Sequence, residues 1–278
     1  MIPKLSTLSL ACAAVLASSA AMALVQPADS PLADKELRHP GLDPEAIHVR
    51  IDELEPAVAA ALRRDLSVLG LDPGSALLDA RGAGWATLWL ARPLVPGTGV
   101  DNRLTWLGLG LGSRPDVPAM EEAAWLRFRS FLDEYRQQLR IDPRQLEPRV
   151  SVHSQGQLIQ IYGARHVDGI PVRGAGVAAT VNHGNLVLLG TERWGKIDLS
   201  TLPSLSGDAA VERVVAHVAP FAPRGYRQEA VLEILPLAAA SGFGAGYTHR
   251  LAWIVSPEFD GLVNRYEAAV DAHSGELL

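Results

Sequence analysis

The chain has 278 residues, 48% of them hydrophobic, a formal net charge of −6 and one cysteine, Cys12. The length supports one large or two small domains with a real core. The acidic balance disfavours nucleic acid and anionic membrane surfaces as partners, and a lone cysteine allows neither an internal disulfide nor a multi-thiolate zinc site.

The first residues predict a secretory signal peptide over 1–23. Lys4 gives a weakly positive start, residues 5–19 are apolar but too short to span a bilayer as a helix, and Ala21-Met22-Ala23 is a small-x-small cleavage site. Cleavage is expected after Ala23, which makes the protein secreted or periplasmic. Ser9-Leu10-Ala11 is a poor lipobox before Cys12, so no stable membrane anchor is expected once the signal is removed. The exported part then has no cysteine at all. Lysine occurs only at Lys4, Lys35 and Lys196, a bias toward arginine that fits a GC-rich bacterial coding sequence.

Residues 24–115 read as a leader and a short structured region. The stretch 24–48 is rich in Pro, Asp and Ala without a period. A helix is predicted over 52–69, with Leu54, Val58, Ala61, Leu62 and Leu66 on one stripe and Pro56 in the first turn. Residues 75–93 read as two strands around Arg81-Gly82-Ala83-Gly84, with Trp85, Thr87 and Trp89 alternating with Ala86, Leu88 and Leu90. Gly108, Gly110 and Gly112 lack the Gly-Lys-Ser/Thr end of a phosphate loop and predict a flexible loop.

Asp116 is a good N-cap, and a helix is predicted to about Leu139. Its apolar face is Trp125, Phe128, Phe131, Leu132, Tyr135 and Leu139, a stripe better suited to a core than to a cofactor slot. From Val150 the pattern becomes extended, with strands at 158–162, 170–181 and 186–189. Asp168-Gly169 and Asn182-His183-Gly184-Asn185 are the turns between them. After a linker at 203–207, a helix over 208–218 points Ala210, Val211, Val214, Val215 and Val218 inward. Three strands follow, at 230–235, 248–255 and 265–271. The fold expected is α+β: two tandem modules, each a helix packed on an antiparallel β-meander, over 116–205 and 206–278.

The second half resembles the prosegment of secreted thermolysin- and fungalysin-type zinc metallopeptidases. Residues 157–190 resemble the fungalysin/thermolysin propeptide domain through the strand 158–165, Gly169, Ile170-Pro171-Val172 and Gly174-Ala175. Residues 208–278 resemble the PepSY-type domain that follows in such precursors, through Leu251-Ala252-Trp253 and Val270-Asp271-Ala272-x-x-Gly275. Asp79-Ala80-Arg81-Gly82 and Gly97-Thr98-Gly99 resemble, more weakly, the family's early strand region. The match covers roughly residues 75–278. It departs at Arg165, four before the turn glycine, where the family often has Gln.

The resemblance implies a prosegment that assists the folding of a zinc metallopeptidase catalytic domain, in cis or in trans, and holds it inactive. Zinc is expected only in that associated domain. The candidate contact or motif residues are Arg165, Gly169, Pro171, Val172, Gly174, Asp271 and Gly275. Physical chemistry adds that Gly169 permits positive φ, that Pro171 suits an edge strand, and that Gly174 and Gly176 permit close approach of another backbone. An arginine such as Arg165 is expected to be exposed.

The residues themselves offer little catalytic chemistry. There is no His-Glu-x-x-His and no Gly-x-Ser-x-Gly. His39, His48, His153, His166, His183, His217, His249 and His273 contain no i, i+4 pair, and each reads as solvated or satisfied. The chain by itself is expected to be non-catalytic, with no metal or cofactor residues. Two alternatives stay open: the N-terminal part of a complete metallopeptidase precursor, decided by a His-Glu-x-x-His downstream of Leu278, and a free-standing periplasmic protein-binding module.

Overall fold

The computed structural model describes residues 44–239, 242–259 and 266–278. The expected signal peptide, its cleavage site after Ala23 and most of the expected leader lie outside the described residues.

The chain begins with the short strand β1 (His48–Val49) and helix α1 (Pro56–Leu69). Pro56 starts α1, where its missing N–H costs nothing, and Gly70 at φ 71° ends it, its N–H returning to Leu66 and Ser67 carbonyls. Strands β2 (Ala76–Asp79) and β3 (Gly84–Pro93) form the expected hairpin. Helix α2 (Val117–Glu134) is capped by Asp116, whose carboxylate accepts from the Ala119 N–H at 3.0 Å. The helix predicted to run to Leu139 breaks at Tyr135. The short helix α3 (Arg136–Leu139) then completes it, closed by Arg140 at φ 60°.

Strands β4 (Leu146–His153), β5 (Leu158–Val167), β6 (Ile170–Asn182) and β7 (Asn185–Glu192) form an antiparallel meander. Both two-residue turns flanking β6 use two positive φ angles: Asp168 and Gly169 at 51° and 81°, His183 and Gly184 at 49° and 85°. That is the mirror-image turn whose twist matches paired strands. Helix α4 (Gly207–Val218), capped by Ser206, follows. After it come β8 (Gly225–Tyr226), β9 (Val231–Ala238), β10 (Tyr247–Val255), β11 (Pro257–Glu258) and β12 (Ala268–Asp271).

The fold is α+β, with both helix-on-meander units present. They are joined more closely than beads on a string. Among the described residues, ten strands form one sheet in the order β1-β2-β3-β7-β6-β9-β10-β12, with β5 and then β4 branching from β6. Strand β3 pairs with β7 (Leu88 opposite Leu189), so residues before 115 extend the first unit's sheet. One apolar core runs from Ile51 through Leu62, Phe128 and Val177 to Trp194, crossing the division expected at 115. Helices α1, α2 and α3 contribute to this core from one side of the sheet.

Two packing expectations change. Trp125 is only half-buried, while Phe128, Phe131 and Leu132 carry the α2 face. In α4, Ala210, Val214 and Val218 are buried, but Val215 is 37% exposed because the narrow three-stranded sheet covers only one stripe.

Candidate functional site

The residues singled out in the Gly-Ile-Pro-Val segment converge on the junction of the two units. Ladder pairing between β5 and β6 runs from Leu158↔Asn182 to Ala164↔Gly176 and resumes at His166↔Pro171. Arg165 alone therefore stands opposite four residues, Val172 to Ala175. Gly174, at φ 63°, gives the bulge its turn. A side chain there would also meet the Arg193 guanidinium, 2.5 Å from the position of a Cβ. The close backbone approach expected at both glycines belongs to Gly176, whose Cβ position is 2.8 Å from the Gly163 carbonyl oxygen.

The bulge turns the start of β6 away from β5 and toward the second unit. Val172 pairs in parallel with Ile234 of β9. Val172 and Ala175 form a small apolar cluster with Ile234, Leu251 and Ala272, packed by Val167, Ile170 and Leu199. Pro171, expected on an edge strand, lies on a strand that pairs with three others. It is tolerated because it sits at the strand's second residue, ahead of the bulge. Arg173 ties the same seam electrostatically, donating to Glu233 at 2.6 Å and to Glu267. Gly169 caps the hairpin with nothing within 4 Å of its Cβ position. A shallow depression of about 390 Å³ opens over the bulge, lined by Arg149, Tyr162, Arg165, Arg173, Gly174 and Glu233 among others.

Arg165, expected to be exposed, is only 6% exposed. Its guanidinium donates to Gln145 Oε1 at 3.0 Å and to the Gly195 carbonyl at 2.7 Å, and lies 4.2 Å from the Trp194 ring centre. Hydrogen bonds plus an aromatic face replace the water it has lost. Burial pushes its pKa down to about 10, so it stays protonated at neutral pH.

Asp271 and Gly275 lie apart from this cluster. Asp271, 2% exposed, accepts from the N–H groups of His273 and Ser274 at 2.9 and 2.8 Å and from Arg250 at 2.8 Å. Burial alone would raise its carboxyl; the Ser274 and His273 donors and the Arg250 charge outweigh it and hold the group below its ordinary value. Gly275, at φ 75°, reverses the chain so that Leu277 bridges Val270 and the Leu278 N–H reaches the Ala269 carbonyl. The Asp-x-x-x-Gly motif is a self-contained turn.

A second contact zone between the units had no sequence signal. The N–H groups of Gly244 and Gly246 donate to the carbonyls of Ala80 and Arg81 at 2.8 and 2.9 Å. The Tyr247 hydroxyl donates to Asp79 at 2.7 Å; burial first, then this bond, raises its pKa. His249, read from sequence as solvated or satisfied, is only partly exposed, and its Nε2 is enclosed without a hydrogen-bond partner. Burial, and then the charge of Arg165, lower its pKa to about 4. Residues 80 and 244 are far apart in sequence, and only folding brings them together.

Among the described residues, no group of three or more His, Cys, Asp or Glu side chains stands close enough to hold a metal ion, and no helix is long and apolar enough to cross a membrane. No protein-family model and no curated protein matches the chain.

Proposed function

We propose that this protein is an exported prosegment that assists the folding of a zinc metallopeptidase and holds it inactive by binding. The observation that carries this reading is the architecture around the motif residues. Two helix-on-meander units occur in the expected order, and Ile170, Val172 and Ala175 insert from the first into the apolar seam of the second. The hallmark segment thus has a physical task, which is to fix the two units as one binding body.

Among the described strands, β1, β8 and β11 are two residues long, too short to template an added strand. Strand β6 is internal, and the edge of β12 is occupied by the returning tail at Leu277. Strand β4 pairs only with β5, leaving one edge for an extended segment of the peptidase. Pro148 withholds one N–H from β4, so residues 150–153 are the more competent half. If a catalytic domain is tethered to the chain, effective concentration makes a modest affinity sufficient.

The test is inhibition and refolding of a thermolysin-type peptidase by the purified chain without residues 1–23. Inhibition that weakens on Val152→Pro more than on Val152→Ala, which controls for the lost packing, supports the proposal. Absence of both inhibition and refolding assistance overturns it in favour of a module that binds some other exported protein.

A further inference from the structure

We propose that His249 makes the joint between the two units acid-labile: protonation of its imidazole, whose Nε2 is enclosed at the joint, releases β10 from the first unit while each unit keeps its own strands. The inference concerns the joint alone and holds whatever the partner is.

The geometry sets this up. His249 lies on β10, opposite the uncharged Pro236 of β9. From the first unit it meets Gly195, whose Cβ position is 3.2 Å from His249 Cε1 and whose carbonyl is taken by Arg165. Neutral imidazole leaves Nε2 without a partner. Protonation makes that nitrogen a donor with nothing to accept it and places a second positive charge beside the Arg165 guanidinium.

The other charged and titratable groups do not supply a counter-ion. On β10 itself, Tyr247 gives its proton to Asp79 of β2. Asp79 is already bonded by the N–H groups of Ile47 and Arg81. Arg81, from the β2–β3 turn, and Arg193, from the segment after β7, add positive charge near Tyr247. The charge acting on His249 is that of Arg165, and opening the joint is the way for the protonated Nε2 to reach water.

The sign follows from linkage. The folded-state pKa of His249 lies below its ordinary value of 6.5, at about 4, so the opened form binds the proton first. The joint is fully stable above pH 6.5 and weakens as pH falls toward 4, by on the order of a hundredfold in its opening equilibrium.

The experiment is amide hydrogen exchange on the whole chain from pH 7 to 4, corrected for intrinsic exchange rates, with a parallel imidazole titration by NMR. The reporters are the Gly244 and Gly246 amides, which cross the joint, set against amides of the β5–β6 ladder. Protection of the two glycines should fall by on the order of a hundredfold across that window while the ladder stays protected. In His249→Gln this fall should be absent, and in Asp79→Asn it should persist. The proposal is overturned if His249→Gln retains the fall, if Asp79→Asn alone removes it, or if all amides lose protection together. Should His249→Gln fail to fold, the wild-type titration decides: an imidazole titrating near 6.5 with the joint still protected overturns the proposal, and one that titrates only as the glycines open supports it.

Discussion

The two units solve the same packing problem at different scales. In the first, α1, α2 and α3 share one large core with buried side chains from five strands, and Phe128, Leu132, Leu139 and Ile141 are completely enclosed. In the second, one helix meets three strands, and burial is divided among small clusters such as Ala210-Val214-Val255-Val270 and Leu235-Leu237-Ala252-Ile254. One of its clusters is completed by Val172 and Ala175 from the first unit. A small sheet with a single covering helix buries too little apolar surface to be robust alone. The seam is therefore part of the second unit's stability, whereas the first unit's main core is largely its own.

The sharpest way to break this contrast is to hollow out each core in turn. Phe128→Ala should destabilise the first unit by roughly 3–5 kcal/mol, read as a lowered denaturation midpoint, because the ring is fully enclosed. Trp125→Ala should cost clearly less, since that ring is only half-buried. An equal loss at the two positions would mean that the core boundary along α2 is wrongly drawn.

Arg165→Ala comes next, at about 2–3 kcal/mol. It removes a buried guanidinium from Trp194 and leaves the Gly195 carbonyl without its donor. The sequence alone suggested that this change would spare the fold. A melting curve identical to wild type would restore that view and return Arg165 to the list of pure contact residues.

Val172→Ala, at about 1–2 kcal/mol, tests the asymmetry directly. Amide exchange should quicken in β9 and β10 more than in β4 and β5, since Val172 packs on Ile234 and Leu251. Loss of protection confined to the first unit would show that the seam does not support the second.

Gly169→Ala should cost about 1 kcal/mol, all of it conformational. Its φ of 81° strains any L side chain, while the space around it is open. The effect should appear in the melting temperature and hardly at all in binding.

The smallest effect is electrostatic. The carboxyl of Asp271 is held below its ordinary value of 3.8, so its contribution is complete above that value and is lost as pH falls through the lower folded one. Asp271→Asn should flatten the acid limb of the stability curve only below pH 3.8. This separates it from the His249 window, which lies above pH 4.

Much of the secondary structure was legible because it is written in local chemistry. Pro56 and Gly70 bracket α1, Asp116 caps α2, and two glycine turns at positive φ fix the register of β5, β6 and β7. Alternating and 3.6-residue patterns place the inward residues of these elements to within a residue or two. The helix break at Tyr135 was not legible because no Pro or Gly marks it, and the eight-residue span of β4 was not because Pro148 inside it argues against a strand.

The candidate site was legible only as a set of names. Sequence selected Arg165, Pro171, Val172 and Gly174 but could not say that they meet at a bulge where the sheet changes partner. It read Arg165 as exposed and His249 as solvated or satisfied. Burial depends on what arrives from elsewhere in the chain: Trp194 and Gly195 close over Arg165, and the β10 strand brings His249 against them. Local pattern determines which backbone shape a segment takes, because capping, turn and alternation energies are set by near neighbours. Which polar groups lose their water is a property of long-range contacts, and only the tertiary structure decided that here.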